Sequence, residues 1–345
     1  MATLSPPPAP HPPAATSLDG VAIHVTDRSR IGEARRLARA LADAARLTDA
    51  RQEEVAIVAS ELAANLVDHA PGGWFIAQRL GGAIDLYAID RGPGLTDVDQ
   101  CFVDGFSTTG TSGIGLGAIR RLSAEHAVDT RPDAGTVFFA RCGLLPDFGV
   151  AIGAATRPYP GQRRNGDGWS IDRVGPILRV VVLDGLGHGP SAADATEAGL
   201  SALSGCALTE PVELLAHLDH ALASTRGAAA TIVCLDLDAG AAAMAGIGNV
   251  GAVLYDGDES ITCVPRFGVL GAQSRLAGAR SQPATWTPTS RLVLHTDGVS
   301  EKWRTGKRRA GLRRPPGVLA GRLLRDHARR NDDATAIVIH GREGP

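Results

Sequence analysis

Four nearly continuous apolar runs in the second half of the chain, residues 177–183, 231–237, 292–296 and 334–340, constrain the fold more than any other feature. Each has the length of one strand and none alternates polar with apolar residues, so each is expected to be buried on both faces. Double burial requires helices packed outside the sheet. The alanine-rich segments 190–203 and 211–224, each opened by a proline, are the expected covers.

Three of these strands meet acidic residues at their tips. Leu183 hands over to Asp184-Gly185, Thr296 to Asp297-Gly298, and Asp332-Asp333 precedes Ala334; Asp167 lies in Gly166-Asp167-Gly168-Trp169. Carboxylates gathered at neighbouring strand tips repel one another unless cations sit among them. An oxygen-only donor set favours Mg²⁺ or Mn²⁺ over zinc, and two such ions can activate water against a phosphate ester without a protein nucleophile.

The first half alternates helices with strands. Residues 31–46 form an alanine-rich amphipathic helix, and Thr48-Asp49, with Gln52 behind, cap a second whose Val55, Val58, Leu62 and Leu66 recur at helical spacing. Glu61, Asn65 and His69 occupy another stripe of that helix, in steps of four, and can converge on one ligand. A short strand, 84–90, delivers Asp90 into the tight turn Arg91-Gly92-Pro93-Gly94. Residues 110–120, with Gly113, Gly115 and Gly117, lead a glycine-rich segment into a helix and can turn bare N–H groups toward phosphate. Each feature has a plainer reading by itself: the glycines as chain geometry, Glu61 as a solvated helix carboxylate, His69 as structural. Their ordered combination is what points to a nucleotide.

A chain of 345 residues is long enough for two domains with cores of their own. A formal charge of −2 and the short basic run Lys307-Arg308-Arg309 give no footprint for nucleic acid. Five scattered cysteines, with no zinc spacing, read as reduced, mostly buried thiols, and the chain as cytoplasmic. Residues 1–19, rich in proline, read as a disordered tail with no secretory signal, and no apolar run approaches the roughly 18 residues of a membrane span.

Residues 20–142 resemble the histidine-kinase-like (GHKL) ATPase family, in its serine-kinase branch of RsbT and anti-sigma-factor kinases, through Glu61-Leu-Ala-Ala-Asn65, Asp90-Arg-Gly92-Pro-Gly94 and Gly113-Ile-Gly115-Leu-Gly117. The resemblance implies that Asn65 holds Mg²⁺ against the ATP phosphates, that Asp90 accepts from the adenine amino group beside Gly92, Gly94 and Thr136, and that Gly113, Gly115, Leu116 and Gly117 form the phosphate lid. It makes Glu61 the general base toward a substrate serine. Residues 104–110 resemble the mobile part of that lid, expected to be disordered without nucleotide.

After a short junction, 143–148, residues 149–342 resemble the SpoIIE-type metal-dependent serine/threonine phosphatases, of the RsbX kind, through Asp184-Gly-Leu-Gly-His-Gly189, Thr225-Arg-Gly-Ala, Gly246-Ile-Gly-Asn249, Thr296-Asp-Gly298 and Asn331-Asp-Asp-Ala-Thr335. The metal ligands implied are Asp167, Asp184 as the bridge, the Gly185 carbonyl, Asp297, and one of Asp332 and Asp333, with Asp332 preferred. His188 is implied to be a turn residue near the metals. Gln162 and Asn165 depart from residues often found in relatives, and neither is an implied ligand.

Together the resemblances imply an α/β (α+β) chain, an N-terminal two-layer α/β sandwich followed by a four-layer α/β/β/α sandwich. The activities implied are an ATP-dependent kinase and a phosphatase acting on STAS-domain anti-sigma-factor antagonists in a partner-switching pathway, with a downstream phosphatase or sigma-factor regulator as a further partner. Two rivals remain open: a nucleotide-sensing domain that gates the phosphatase, and a pure binding module.

Overall fold

In the computed structural model the described residues are 15–16, 20–95, 115–272, 278–304 and 312–342, and all strand pairs are antiparallel. A two-residue strand, β1 (Ala15–Thr16), falls within the expected tail and pairs with Ile171 and Ser170. Residues 96–114, which carry the expected lid with Gly113, lie outside the described residues.

After β2 (Gly20–Val25), α1 (Ser29–Ala44) turns Ala34, Ala38 and Ala42 inward in steps of four. It ends two residues before the expected boundary because Arg46 takes a left-handed φ of 57°. Thr48 caps α2 (Asp49–Asp68), its hydroxyl accepting the Arg51 N–H at 3.4 Å, and Val55, Val58, Leu62 and Leu66 are all buried. Gln52 does not complete a capping box: buried, it donates to Leu47 O and Asp43 Oδ1 and ties α1 to α2.

These helices and α3 (Gly115–Leu122) cover one face of a sheet built from β2, β3 (Gly73–Leu80), β4 (Ala83–Asp90), β5 (Glu125–Arg131) and β6 (Gly135–Cys142), in the order β2-β3-β4-β6-β5. Phe75, Ala77, Leu86, Ala88, Phe138 and Ala140 point to the helices. The alternate residues, Ile76, Tyr87, Ile89, Val137 and Phe139, are equally buried, but in a different core.

The second half supplies β7 (Val150–Arg157), β8 (Asp167–Val174), β9 (Ile177–Gly185), α4 (Pro190–Ala202), α5 (Pro211–Ala221), β10 (Ala228–Asp236), β11 (Ala241–Ile247), β12 (Gly251–Asp256), β13 (Glu259–Thr262), β14 (Gln282–Thr285), β15 (Arg291–His295), α6 (Pro316–His327) and β16 (Ala334–Gly341). Two sheets, β1-β8-β9-β10-β11-β14 and β13-β12-β15-β16-β7, face each other across a core that includes Trp169, Val180, Val233, Ile152, Leu292 and Ile337. Helices α4 and α5 bury Leu200, Leu214 and Leu218 on the outer face of the six-stranded sheet. The double burial read from the apolar runs therefore comes from a sheet on one side and helices on the other.

Helix α6 covers the five-stranded sheet, and its far side packs on the first domain. Val318, Leu319 and Leu323 share one core with Val293 and Val338 below and with Tyr87, Val137 and Phe139 above. Glycines make this approach possible: a Cβ on Gly317 would stand 2.4 Å from the Phe139 ring, and one on Gly321 would stand 2.7 Å from Val137. Polar bonds cross the same boundary, from Gln78 Nε2 to Ala154 O at 2.6 Å and from the Tyr87 hydroxyl to the same carbonyl. The two halves are joined by the buried helix α6 and by direct bonds to β7.

Replacing Gly317 with valine is expected to lower the melting temperature by roughly 3–10 °C, since overpacking a filled contact costs about 1–3 kcal/mol. Differential scanning calorimetry checks this; an unchanged transition would mean that α6 does not seat on Phe139. Cys142, Cys234 and Cys263 are buried free thiols and Cys206 is half-buried; Cys101 lies outside the described residues. No described helix is long and apolar enough to cross a membrane.

Candidate functional site

The first site lies where α2, the exit of β4 and the start of β6 meet. Glu61 and Asn65 share a stripe of α2, and His69, the next residue of that stripe, is the exposed C-cap. Burial raises the Glu61 carboxyl above its ordinary pKa. The Asn65 Nδ2 is buried without a hydrogen-bond partner among the described residues. Asp90, 9% exposed, accepts through Oδ1 from the N–H groups of Gly92 at 2.7 Å and Thr136 at 3.2 Å. Burial raises its pKa, against the pull of those two donors.

The turn around Asp90 explains its glycines. Gly94 sits at φ +77°, where a Cβ would come within 2.3 Å of Arg131 O, and Gly135, at φ +91°, would place one 2.1 Å from Asp90 O. Thr130 Oγ1 accepts from the Leu95 N–H at 2.8 Å and lies 3.0 Å from Thr136 Oγ1. Gly115, Leu116 and Gly117 form the first turn of α3, which enters directly after residues outside the described set.

The second site gathers carboxylates far apart in sequence. Asp167 and Asp184 are directly opposed on β8 and β9. Thr296 Oγ1 donates to Asp167 Oδ2 at 2.8 Å and accepts from the Thr335 N–H at 3.1 Å, locking the 296–298 turn beside β16. Asn249 Nδ2 donates to Asp297 Oδ2 at 2.6 Å. A Cβ on Gly298 would fall 1.7 Å from Asp333 O, and one on Gly166 would fall 2.7 Å from Asp333 Oδ2. Only bare backbone fits there.

Electrostatics follow from this crowding. Burial, then the charges of Asp297, Asp332 and Asp333, push the Asp184 carboxyl up to about 8. Burial, then Asp184 and Asp333, raise Asp167 well above the ordinary carboxylate range. Asp332 is raised first by burial and then by Asp297 and Asp333, whereas Asp333 is raised by burial alone, against the pull of the Tyr159 and Gly166 N–H groups and of His188 and Arg157. The two differ in placement: Asp333 is 3% exposed and anchored by the Tyr159 N–H at 2.7 Å, whereas Asp332 is half-buried and faces Asp297. His188 is exposed and stacks on Tyr159, ring centroids 4.3 Å apart.

Among the described residues, no three carboxylate, imidazole or thiol side chains converge on a common ligating point. Each aspartate is instead drawn toward a hydrogen-bond donor. The donor set nevertheless suits hard divalent cations: oxygen only, several carboxylates mutually raising their pKa values, and a backbone too tight for side chains. Asn249, Thr296 and Tyr159, which position Asp297, Asp167 and Asp333, were not singled out from sequence, although the first two stand within the quoted motifs. Arg157 carried no sequence signal; it donates to Asp332 O at 3.2 Å and to Arg329 O.

Residues 25–140 match the family of histidine kinase-like ATPase domains, and residues 177–342 match that of stage II sporulation protein E (SpoIIE). The first region is similar to the serine/threonine-protein kinase RsbT of Bacillus subtilis (strain 168), 33% identical over 107 residues, 30% of this chain and 80% of RsbT. A solved structure described as the bacterial stressosome, a modular system adapted to control secondary messenger signalling, is similar with TM-score 0.51 and 26% identity over 55% of this chain and 99% of its own. RsbX in complex with magnesium gives TM-score 0.48 and 24% identity over 55% of this chain and 94% of its own. The chain belongs to the histidine kinase-like ATPase family of RsbT by its first domain, and carries a SpoIIE-type phosphatase domain as its second.

Proposed function

We propose that the protein both phosphorylates and dephosphorylates serine or threonine on STAS-domain anti-sigma-factor antagonists, setting their phosphorylated fraction in a bacterial partner-switching pathway. The observation that carries this reading is the presence in one chain of two acidic sites: Glu61, the unpartnered Asn65 amide and the buried Asp90 in the first domain, and five aspartates that influence one another in the second.

In the first domain Asp90 would take the adenine amino group between Gly92 and Gly94, with Thr136 beside it. Asn65 would meet the phosphates and their Mg²⁺, under a lid formed by Gly113, Gly115, Leu116 and Gly117. Glu61 would take the proton of the substrate hydroxyl as that oxygen bonds the γ-phosphorus and ADP departs. Its raised pKa brings it nearer the pH at which it must work.

In the second domain Asp167, Asp184, the Gly185 carbonyl, Asp297 and Asp332 would hold Mg²⁺ or Mn²⁺, while Asp333 roots the loop that carries Tyr159. Bound divalent cations supply positive charge that polarises the phosphate ester and acidifies a water. The chain's own residues orient the aspartates through Thr296 and Asn249. Water adds to phosphorus, the serine oxygen leaves and recovers a proton.

One observation favours a second reading, in which nucleotide in the first domain gates the phosphatase. Arg91, next to Asp90, donates to Arg325 O on α6 at 2.6 and 2.9 Å, and the end of α6 bonds the acidic loops, Ser300 N–H to His327 O and Arg329 N–H to Gly298 O. Labelled ATP, Mg²⁺ and a STAS-domain protein separate the two. Wild type is expected to transfer label and Glu61→Ala to lose it at least about a hundredfold, in line with loss of a general base. Absence of transfer to any candidate, together with an ATP effect on hydrolysis that survives in Glu61→Ala, would leave gating alone.

A further inference from the structure

Between the domains, on the sheet face opposite the α1–α3 helices, lies a cavity of about 550 Å³. Its walls are Trp74, Ile76 and Ile89 of the first domain, Leu324 and Ala328 from the end of α6, and the Pro160-Gly161 turn. Asp90 touches its edge, but in β4 the Asp90 side chain shares parity with Ala88 and Leu86, which face the helices, whereas Ile89 faces the cavity. The space is therefore separate from the candidate nucleotide cradle. It is also of the size that holds small organic ligands, which bind in pockets of about 300–1,000 Å³.

Its charge is one-sided. Arg91, Arg157, Arg325 and Arg330 line it. Arg325 is satisfied by Asp129 and Asp326. Among the described residues Arg157, 5% exposed, donates only to the carbonyls of Pro158, Arg329 and Asp332, and Arg91 only to Arg325 O. No described carboxylate forms an ion pair with Arg91, Arg157 or Arg330; Asp333, Asp167 and Asp332 act on Arg157 only from beyond contact. A buried guanidinium bonded to neutral carbonyls alone lacks the partner that such groups ordinarily have. It stands 5.4 Å over the Trp74 ring, whose edge contacts His24.

From the one-sided charge, the apolar walls and the volume, we propose that this cavity binds a small organic anion, its flat apolar body against Trp74, Ile76 and Leu324 and its phosphate or carboxylate among Arg157, Arg91 and Arg330. Both domains contribute walls. Arg157 also holds Asp332 O, so an occupant bonded to Arg157 is linked through that side chain to the backbone of the acidic cluster, and Gly72 and Gly73, which lead into β3, line the same cavity.

The probe is phenylphosphonate, which the phosphatase cannot hydrolyse, titrated calorimetrically into the full chain in chelator. Inorganic phosphate and benzyl alcohol represent the anion and the ring alone. Phenylphosphonate is expected to bind 1:1, at least tenfold tighter than either fragment, to quench fluorescence that Trp74→Phe removes, and to be unaffected by a saturating non-hydrolysable ATP analogue. Ala328→Phe, which fills the cavity, is expected to abolish binding, and Arg330→Glu, on the exposed rim, to weaken it tenfold or more; the second variant serves should the first not fold. Absence of binding, affinity no better than that of phosphate, displacement by the nucleotide analogue, or unchanged binding in Arg330→Glu would each overturn the proposal.

Discussion

Asp184→Asn is expected to reduce Mn²⁺-dependent hydrolysis of a phosphoserine protein by roughly a thousandfold or more and, at the same time, to raise the melting temperature of the cation-free protein. The activity loss follows from the position of Asp184, opposed to Asp167 and within the field of Asp297, Asp332 and Asp333. A side chain proposed to bridge cations contributes several kcal/mol of charge stabilisation, and each 1.36 kcal/mol is a factor of ten in rate. The stability gain has the opposite cause. The folded carboxyl sits at about 8 against an ordinary 3.8, so between those pH values the folded state holds a proton that the unfolded chain has released. Stability of the cation-free protein therefore falls as pH rises through that window, by on the order of a few kcal/mol, and the Asp184→Asn substitution removes Asp184's share of the dependence, leaving that of Asp167, Asp332 and Asp333. Melting curves from pH 5.5 to 8.5 in chelator, with and without the substitution, measure this. Wild type should lose more than the variant toward high pH, and Mn²⁺ should restore most where the loss is greatest. Full turnover in the variant, or parallel pH profiles, would show that Asp184 does not stand at the centre of the charge cluster.

The placement of Asp184, Asp297 and the Asp332-Asp333 pair at strand tips was legible because each ends or begins an apolar run, whereas Asp167, at the start of β8, is marked by no such run. The double burial of β9, β10, β15 and β16 was legible for the same reason, and so were both covering helices α4 and α5. Helix α6 was not. Its apolar residues Val318, Leu319, Leu323 and Leu324 recur at helical spacing, but Gly317, Gly321 and Arg325, buried with them, are residue types that do not announce a buried helix. Its partner surface carried a trace in the sequence: β4 and β6 are buried at every position, as a strand covered on both faces must be, and the short junction at 143–148 suggested adjacent domains rather than a long flexible tether. Arg157 and Arg325 left no pattern, because their partners are backbone carbonyls and single carboxylates distant in sequence, fixed only by packing. In the candidate nucleotide cradle the reverse holds. Asp90, Gly94 and Gly135 are dictated by a turn so tight that backbone atoms occupy the space of any Cβ, and such turns write themselves into sequence as glycine.

The joint between the domains gives the second large effect. Arg141→Met is expected to destabilise the protein by about 3–5 kcal/mol, the range for removing one partner of a buried ion pair, and to lower the melting temperature by on the order of 10 °C. Asp85 is fully buried, and both of its oxygens are held by Arg141, at 2.6 Å from Nε and 2.8 Å from the second terminal nitrogen. The same guanidinium reaches Glu125 at 2.8 Å and, across the joint, Ile152 O at 2.9 Å. Without Arg141, the Asp85 carboxylate has no counter-charge, and burial, already the dominant influence raising its pKa, acts unopposed. The variant should thus be most destabilised at alkaline pH and recover as acid protonates Asp85, the sign required of a carboxyl whose folded pKa is raised. Replacing the pair together, Asp85→Leu with Arg141→Met, should regain most of the lost stability, because an apolar pair of similar volume leaves no buried charge behind. Calorimetry on wild type, single and double variants decides the matter. If single and double variants melt alike, the stability of the joint rests on the apolar contacts of Tyr87, Phe139 and α6 rather than on the compensated charge at Asp85.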